Sequence, residues 1–308
     1  MGSHVTAIEV SGLTKSFDGR PACRDITFEV QRGEVFGLLG PNGAGKTTTL
    51  RMLAGLFAPD AGTARVAGFD IAPGKPGSPG LRARVGLLTE QPGFYDRLTA
   101  RENLLYFGRL HRAARASDRA AQLLDRFGLA EHADRPFAEL SRGMKQKLAI
   151  ARALVHEPEV IFLDEPTVGL DPEATREVRA LVAELAAERA TIVLCTHHLE
   201  EVERLCSRAA FIAGRLLAVH PVRRDADEVR IELAAPHAAA VERVRALSRS
   251  LRVEGATLHL EPTCEVPDIV AALVGAGARV VAVAPHRDPL EDAWLQLLAD
   301  AREQGLTA

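Results

Sequence analysis

An α/β core followed by a smaller α+β module is the fold class that this sequence predicts, and three observations predict it. Four short apolar runs, 35–39, 85–89, 160–163 and 191–195, alternate with helical stretches, which is the pattern of core strands in an α/β sheet. The first run leads straight into Gly40-Pro41-Asn42-Gly43-Ala44-Gly45-Lys46-Thr47-Thr48. Beyond Val222 the pattern changes to the order β-α-β-β-α-β, which suggests a ferredoxin-like split βαβ module.

The glycine-rich stretch fits G-x-x-x-x-G-K-[S/T] without a mismatch and reads as a phosphate-binding loop. A buried strand ends, glycines let the backbone curl so that several N–H groups point at one anion, and a helix begins. Lys46 is then placed for the β- and γ-phosphates and Thr47 for Mg²⁺. The helix through Leu53 adds roughly half a unit of positive charge at its amino end.

Length and composition bound the function. At 308 residues with 47% hydrophobic content the chain is long enough to fill two cores. A net charge of −3 argues against a nucleic-acid protein held by a general positive field, so no nucleic acid is expected as a partner. Cys23, Cys195, Cys206 and Cys264 are scattered without a C-x-x-C, suggesting neither a zinc site nor a disulfide framework and pointing to a reducing cytosol. No apolar run is long enough to span a bilayer, no signal peptide is expected, and Met1-Gly2-Ser3-His4 resembles an expression-tag remnant.

In chain order, 5–10 and 26–30 alternate as half-buried strands of an antiparallel layer around a turn at Asp18-Gly19. Phe17, just before that turn, reads either as core or as a ring exposed for stacking on adenine. Residues 63–67 form a short strand, and 73–80, rich in proline and glycine, a loop. The strand at 85–89 ends at Gln91, a solvated turn residue or a ligand contact at the end of a core strand. From about 98 to 154 the chain is helical. Thr99 to Glu102 is a capping box, and Arg109, His111, Arg112, Arg115 and Arg119 read as a solvated basic face or a subunit contact. A helix covers 118–127. The next starts at Ser141-Arg142-Gly143-Met144, either a plain serine cap or a second anion site.

The run at 160–163 is followed by Asp164 and Glu165. Paired acids at the exit of a buried strand are costly unless a cation or substrate uses them, so Asp164 suits the Mg²⁺ shell and Glu165 a water to be polarised. Asp171-Pro172 starts a helix as N-cap and first residue, and the strand at 191–195 ends at Thr196-His197, where a histidine can meet a γ-phosphate. The tandem His197-His198 lacks a third metal ligand at a suitable spacing.

From about Val5 to His220 these ordered motifs resemble the nucleotide-binding subunits of ABC transporters. The resemblance implies a P-loop NTPase of ABC type, with a mixed sheet core, an antiparallel β layer and a helical subdomain. It makes Phe17 the adenine-stacking aromatic, Gly40 to Thr48 the Walker A loop, and Gln91 the Q-loop residue that also meets the metal. Asp164 and Glu165 match the Walker B pair, Asp171 the D-loop aspartate and His197 the switch histidine. Where many members read Leu-Ser-Gly-Gly-Gln, this chain has Leu140-Ser141-Arg142-Gly143-Met144. Ser141 and Gly143, which face phosphate, are retained. Arg142 and Met144 look like the variant of ABC-2-type exporters, the class of drug, polysaccharide and sodium pumps. The implied activity is Mg²⁺-dependent ATP hydrolysis. Two copies would pack head to tail around two ATP molecules, on the cytoplasmic face of a membrane whose spanning permease subunits are separate chains.

The expected organisation is an ATPase domain over 5–222 and an accessory domain over 223–308. In the accessory domain, strands at 229–233, 251–253, 257–260 and 279–284 alternate with helices at 238–247, 266–274 and 290–298. Its ending, 289–295, is similar to the C-terminal segment of many exporter ATPases. It shows no catalytic constellation, Trp294 reads as core, and a structural or dimer-bracing role outweighs ligand sensing. The alternatives to an exporter are an import ATPase with a regulatory C-terminal domain, or an ABC ATPase acting on DNA or ribosomes. The coiled-coil or zinc insertions of DNA-repair members and the duplicated domains of ribosomal ones are not found in the sequence.

Overall fold

A computed structural model describes residues 5–89, 93–222, 229–285, 290, 294–297 and 299–300. The tag-like residues 1–4, Gln91 and part of the helix expected over 290–298 lie outside the described residues.

The first unit begins with β1 (Thr6–Phe17) and β2 (Arg20–Gln31). They pair antiparallel around Asp18-Gly19, both at positive φ (50° and 76°) as a tight hairpin turn requires. Then come β3 (Val35–Leu39), α1 (Lys46–Leu53), β4 (Ala61–Val66), β5 (Phe69–Ile71), α2 (Pro79–Arg82) and β6 (Val85–Leu88). The loop expected over 73–80 therefore ends in a helical turn: the Ser78 side chain accepts from Leu81 N at 3.2 Å and Pro79 is the first residue, a combination that starts a helix. α3 (Ala100–Leu110), α4 (Ala116–Arg126) and α5 (Arg142–Leu154) form the helical part. At α3 the capping box is complete, with Thr99 Oγ1 accepting from Glu102 N at 3.1 Å and the Glu102 carboxylate from Thr99 N at 2.8 Å. The unit continues with β7 (Val160–Asp164), α6 (Pro172–Ala187), β8 (Thr191–Thr196), α7 (Leu199–Leu205), β9 (Arg208–Ile212) and β10 (Leu216–Pro221).

Two sheets result. One is antiparallel in the order β2-β1-β4-β5; the other is six-stranded, β10-β9-β3-β8-β7-β6, parallel except for the edge strand β10. Their shared core holds Ile8, Leu13, Ile26, Leu38, Leu50 and Phe162, all with little or no exposed surface. Phe28 of the antiparallel layer stacks on Phe36 of β3 at 5.2 Å between centroids.

The second unit spans Arg223–Glu291. It contains β11 (Val229–Leu233), α8 (Ala238–Arg245), β12 (Ser248–Glu254), β13 (Thr257–Pro262), α9 (Val266–Gly275) and β14 (Val280–Pro285). The strands lie antiparallel in the order β12-β13-β11-β14, so each helix links strands separated by one neighbour, and Ile231, Leu258, Leu260, Val244, Ile269 and Leu273 form the core. This unit is shorter than the 223–308 expected. Beyond it, Trp294 belongs with the first unit, where its ring stacks on Phe211 of β9 at 5.2 Å.

His111 departs from the solvated face expected of it. It lines a cavity of about 820 Å³ with Leu87, Phe107, Arg152 and His156, and its ring stacks on His156 at 4.2 Å. Burial, then the neighbouring His111, push His156 down to about 4, against the opposing bond of its Nε2 to the Val85 carbonyl. Burial and Arg152 lower His111 as well. Both rings are uncharged in both folded and unfolded chains well above pH 6.5. As pH falls from 6.5 toward 4 the unfolded chain takes up protons that folded His156 refuses, so stability falls. Replacing His156 by Phe is expected to flatten the stability–pH slope across that window by up to about 1.4 kcal/mol per pH unit. Urea unfolding at stepped pH checks this; an unchanged slope would contradict it.

Candidate functional site: a phosphate loop beside a carboxylate–histidine pair

The loop after β3 is shaped by its glycines. A side chain at Gly40 would overlap the Ile212 carbonyl and one at Gly45 the Ala22 carbonyl, while Gly43 and Gly45 hold φ of 81° and 91°. Helix α1 starts at once, with Gly45 as an N-cap that supplies no side-chain acceptor. Its first N–H groups therefore face out of the loop with the positive end of the helix behind them, the arrangement that receives an anion. Pro41, Asn42 and Ala44 complete the turn, closed by Ala44 N donating to Pro41 O at 3.2 Å.

Lys46, only 6% exposed, donates to the carbonyls of Gly40 (2.7 Å) and Pro41 (3.1 Å), and its ammonium lies 3.7 Å from Glu165 Oε1. Next to it, Thr47 Oγ1 donates to Asp164 Oδ1 at 3.0 Å. Asp164 is buried, and burial raises its pKa against the lowering effect of the Thr47 bond and of Arg51. A hydroxyl and a desolvated carboxylate in contact are two hard oxygen donors, and a divalent cation there would offset the unfavourable burial of the acid, so this pair fits Mg²⁺.

Glu165 leaves β7 with a φ of 49°, unusual for a side chain with a Cβ, while its N–H donates to Cys195 O at 2.9 Å. That turn presents its carboxylate to His197, whose Nδ1 lies 2.9 and 3.0 Å from the two oxygens and so carries the proton that they accept. Lys46, Thr47, Asp164, Glu165 and His197 are thus brought together. The His197 and His198 rings also contact each other at 3.9 Å, yet among the described residues no group of three or more His, Cys, Asp or Glu could hold a metal.

Other residues singled out in the sequence stand apart. Phe17 is 43% exposed, in edge contact with Phe57 at 5.8 Å and with Lys15 over its ring, so it is not core. Ser141 caps α5 by accepting from Met144 N at 3.2 Å, and Gly143 lets that helix approach Ala174 of α6. Asp171 caps α6 by accepting from Glu173 N and Ala174 N at 3.0 and 2.9 Å; these backbone bonds, that from Ala174 foremost, lower its pKa. No described hydrogen bond or ion pair joins Ser141, Gly143 or Asp171 to the Lys46 group. Sequence reasoning passed over the segment after Glu165. There Gln146 Nε2 donates to Pro166 O at 2.7 Å, and the hydroxyl of Thr167 donates to Glu201 of α7, whose carboxyl is fully buried. No sequence signal separates Glu201 from its exposed neighbour Glu200.

Residues 23–168 match the family model described as ABC transporter. The chain is 38% identical to a daunorubicin resistance ATP-binding protein of Streptomyces coeruleorubidus, over 96% of this chain and 97% of that protein. It is 47% identical to a Nod factor export ATP-binding protein of Paraburkholderia xenovorans, over 69% and 70% of the two chains. Among solved structures it resembles an ATP-binding subunit of an ABC transporter (TM-score 0.63, 32% identity, 71% and 92% covered). It also resembles a dimeric bacterial ABC transporter cassette (TM-score 0.64, 26% identity, 70% and 99% covered). On the strength of the near full-length relationship and the phosphate loop with its carboxylate–histidine pair, this chain belongs to the ABC transporter family, as one of its ATP-binding, ATP-hydrolysing subunits.

Proposed function

We propose that the chain is the Mg²⁺-dependent ATPase of an exporter, working as a pair of copies on separate membrane-spanning permease subunits at the cytoplasmic face of the membrane. The observation that carries the reading is the convergence of Lys46 and His197 on the Glu165 carboxylate beside the Thr47–Asp164 pair. Among the described residues no helix is long and apolar enough to cross a membrane, which fits a division of labour with other subunits. The export function in the name of the Nod factor relative favours export over import, or over action on DNA or ribosomes.

The loop Gly40 to Thr48 binds the phosphates of ATP through its N–H groups and Lys46, and the exposed Phe17 ring stacks on adenine. Thr47 and Asp164, with Gln91 as a further ligand, would hold Mg²⁺, which would supply charge neutralisation at the phosphate oxygens. Glu165 orients the attacking water and accepts its proton, while His197 fixes the Glu165 carboxylate and reaches toward the γ-phosphate. Ser141 and Gly143 of one copy, with Asp171, face the nucleotide held by the other. Hydrolysis then removes contacts that join the two copies, which biases the attached permease between its states. The second unit braces the pair.

Glu165→Gln should lower phosphate release by about a hundredfold and leave ATP binding intact. In that background, Mg²⁺-ATP at about a hundred times its Kd should add roughly 2.7 kcal/mol of stability, and Lys46→Ala should remove most of the resulting rise in Tm. Equal rises with and without Lys46 would count against the loop assignment.

Mixing mutants tests the pairing. In a mixed dimer of Lys46→Ala and Ser141→Arg chains both lesions fall in one composite site and the other is intact, so ATP-dependent dimers or phosphate release should exceed those of either mutant alone. Light scattering and phosphate assays read this out. Full activity of Ser141→Arg by itself, where the wild type is monomeric with ATP, would reject a role in trans.

A further inference from the structure

Glu201 lies in the first turn of α7, four residues beyond His197, and is fully buried, which is unfavourable for a carboxylate unless its partners need it there. Its Oε1 accepts the Thr167 hydroxyl and lies 3.7 Å from Arg179 Nε of α6. Thr167 is itself buried and stands two residues after Glu165. On the other side, Glu201 N donates to the carbonyl of His198, next to His197. These links close a ring. Glu165 meets His197 through its side chain, and the chain segments that carry the two residues meet again through Thr167 and Glu201. Turns within the segment, Val168 N to Glu165 O at 3.3 Å and Leu170 N to Thr167 O at 3.2 Å, extend the same anchoring toward Asp171.

We propose that Glu201 and Thr167 are positioning residues, whose buried bond holds the Glu165 turn in register with the His197 strand end and so fixes the aim of the Glu165 carboxylate. A leucine at 201 would fill the space but anchor nothing. The bond involves none of the residues proposed above to meet nucleotide or metal; it acts through the placement of a reacting group, where a misplacement of about 1 Å can cost about a hundredfold in rate. The proposal rests on Glu165 serving ATP hydrolysis as described above.

The test uses the purified full chain with Mg²⁺-ATP. Thr167→Val keeps the shape and removes the hydroxyl; it is expected to lower kcat about tenfold or more while KM for ATP and the ATP-induced rise in Tm stay near wild type. Thr167→Ser, which restores the hydroxyl, should recover kcat to within about threefold of wild type. Adding Glu201→Gln to Thr167→Val, which keeps the shape at 201 and a polar group beside Arg179, should lower kcat little further, because Glu201 reaches the Glu165 turn through the Thr167 hydroxyl. Unchanged kcat in Thr167→Val overturns the proposal. So does a loss shared equally by Thr167→Ser, or a Thr167→Val chain that does not fold, since either marks a packing role. A wild-type chain that neither binds nor hydrolyses ATP overturns the functional reading along with it, whereas normal wild-type turnover with an unaffected Thr167→Val removes the positioning role alone.

Discussion

The site depends on the parallel register of β3, β8 and β7. Leu39 pairs with Thr196 and Asp164 with Cys195, so the three strands end along one edge and Gly40, Glu165 and His197 leave it side by side. Every residue of these strands is buried, and a slip of one residue would turn each side chain to the opposite face. The packing that makes the sheet a stable core therefore also sets the spacing of the groups that leave its edge. This is the edge at which open α/β sheets receive ligands, beyond the carboxyl ends of their strands.

What gathers at that edge is held at a cost. Glu165 occupies a left-handed backbone conformation, worth about 1–3 kcal/mol of strain for a residue with a Cβ. Its N–H bond to the Cys195 carbonyl and its side-chain contacts with His197 and Lys46 over-determine that conformation. Asp164 is desolvated enough for its pKa to rise, and Lys46 turns its charge on loop carbonyls. Such groups are unfavourable as core and suited to a charged substrate, which brings the charges that they lack.

The sheet was legible because buried strands read as apolar runs and because the phosphate loop, the acid pair and the helix caps are local signals. Thr99, Ser141 and Asp171 all cap the helices that their neighbours suggested. Features that depend on distant partners were not legible. β5 is three residues long and exists by pairing with β4; β9 and β10 follow the last motif that sequence patterning singled out. His111 sits in a basic run that reads as solvated, and only the approach of His156 from the turn after α5 makes it part of a cavity wall. Trp294 reads as core without naming its partner, because Phe211 lies more than eighty residues away on β9. Of the candidate site, the loop, both acids and His197 could be found from spacing, whereas Thr167 and Glu201 carry no pattern of their own.

The departure at Arg142 from the commonest signature pattern has a counterpart elsewhere in the same chain. The Arg142 guanidinium lies where a side chain at position 169 would project, and Gly169 is held at a φ of 68°, the left-handed conformation that favours glycine. One turn further along α5, Gln146 donates to Pro166 O. The helix that begins at Ser141 is thus in contact with the turn that begins at Glu165 through two side chains of α5. In the proposed dimer these segments face different nucleotides, Glu165 that of its own loop and Ser141 that of the second copy. The two segments are therefore packed on each other within one chain, in direct contact and without a path through the sheet.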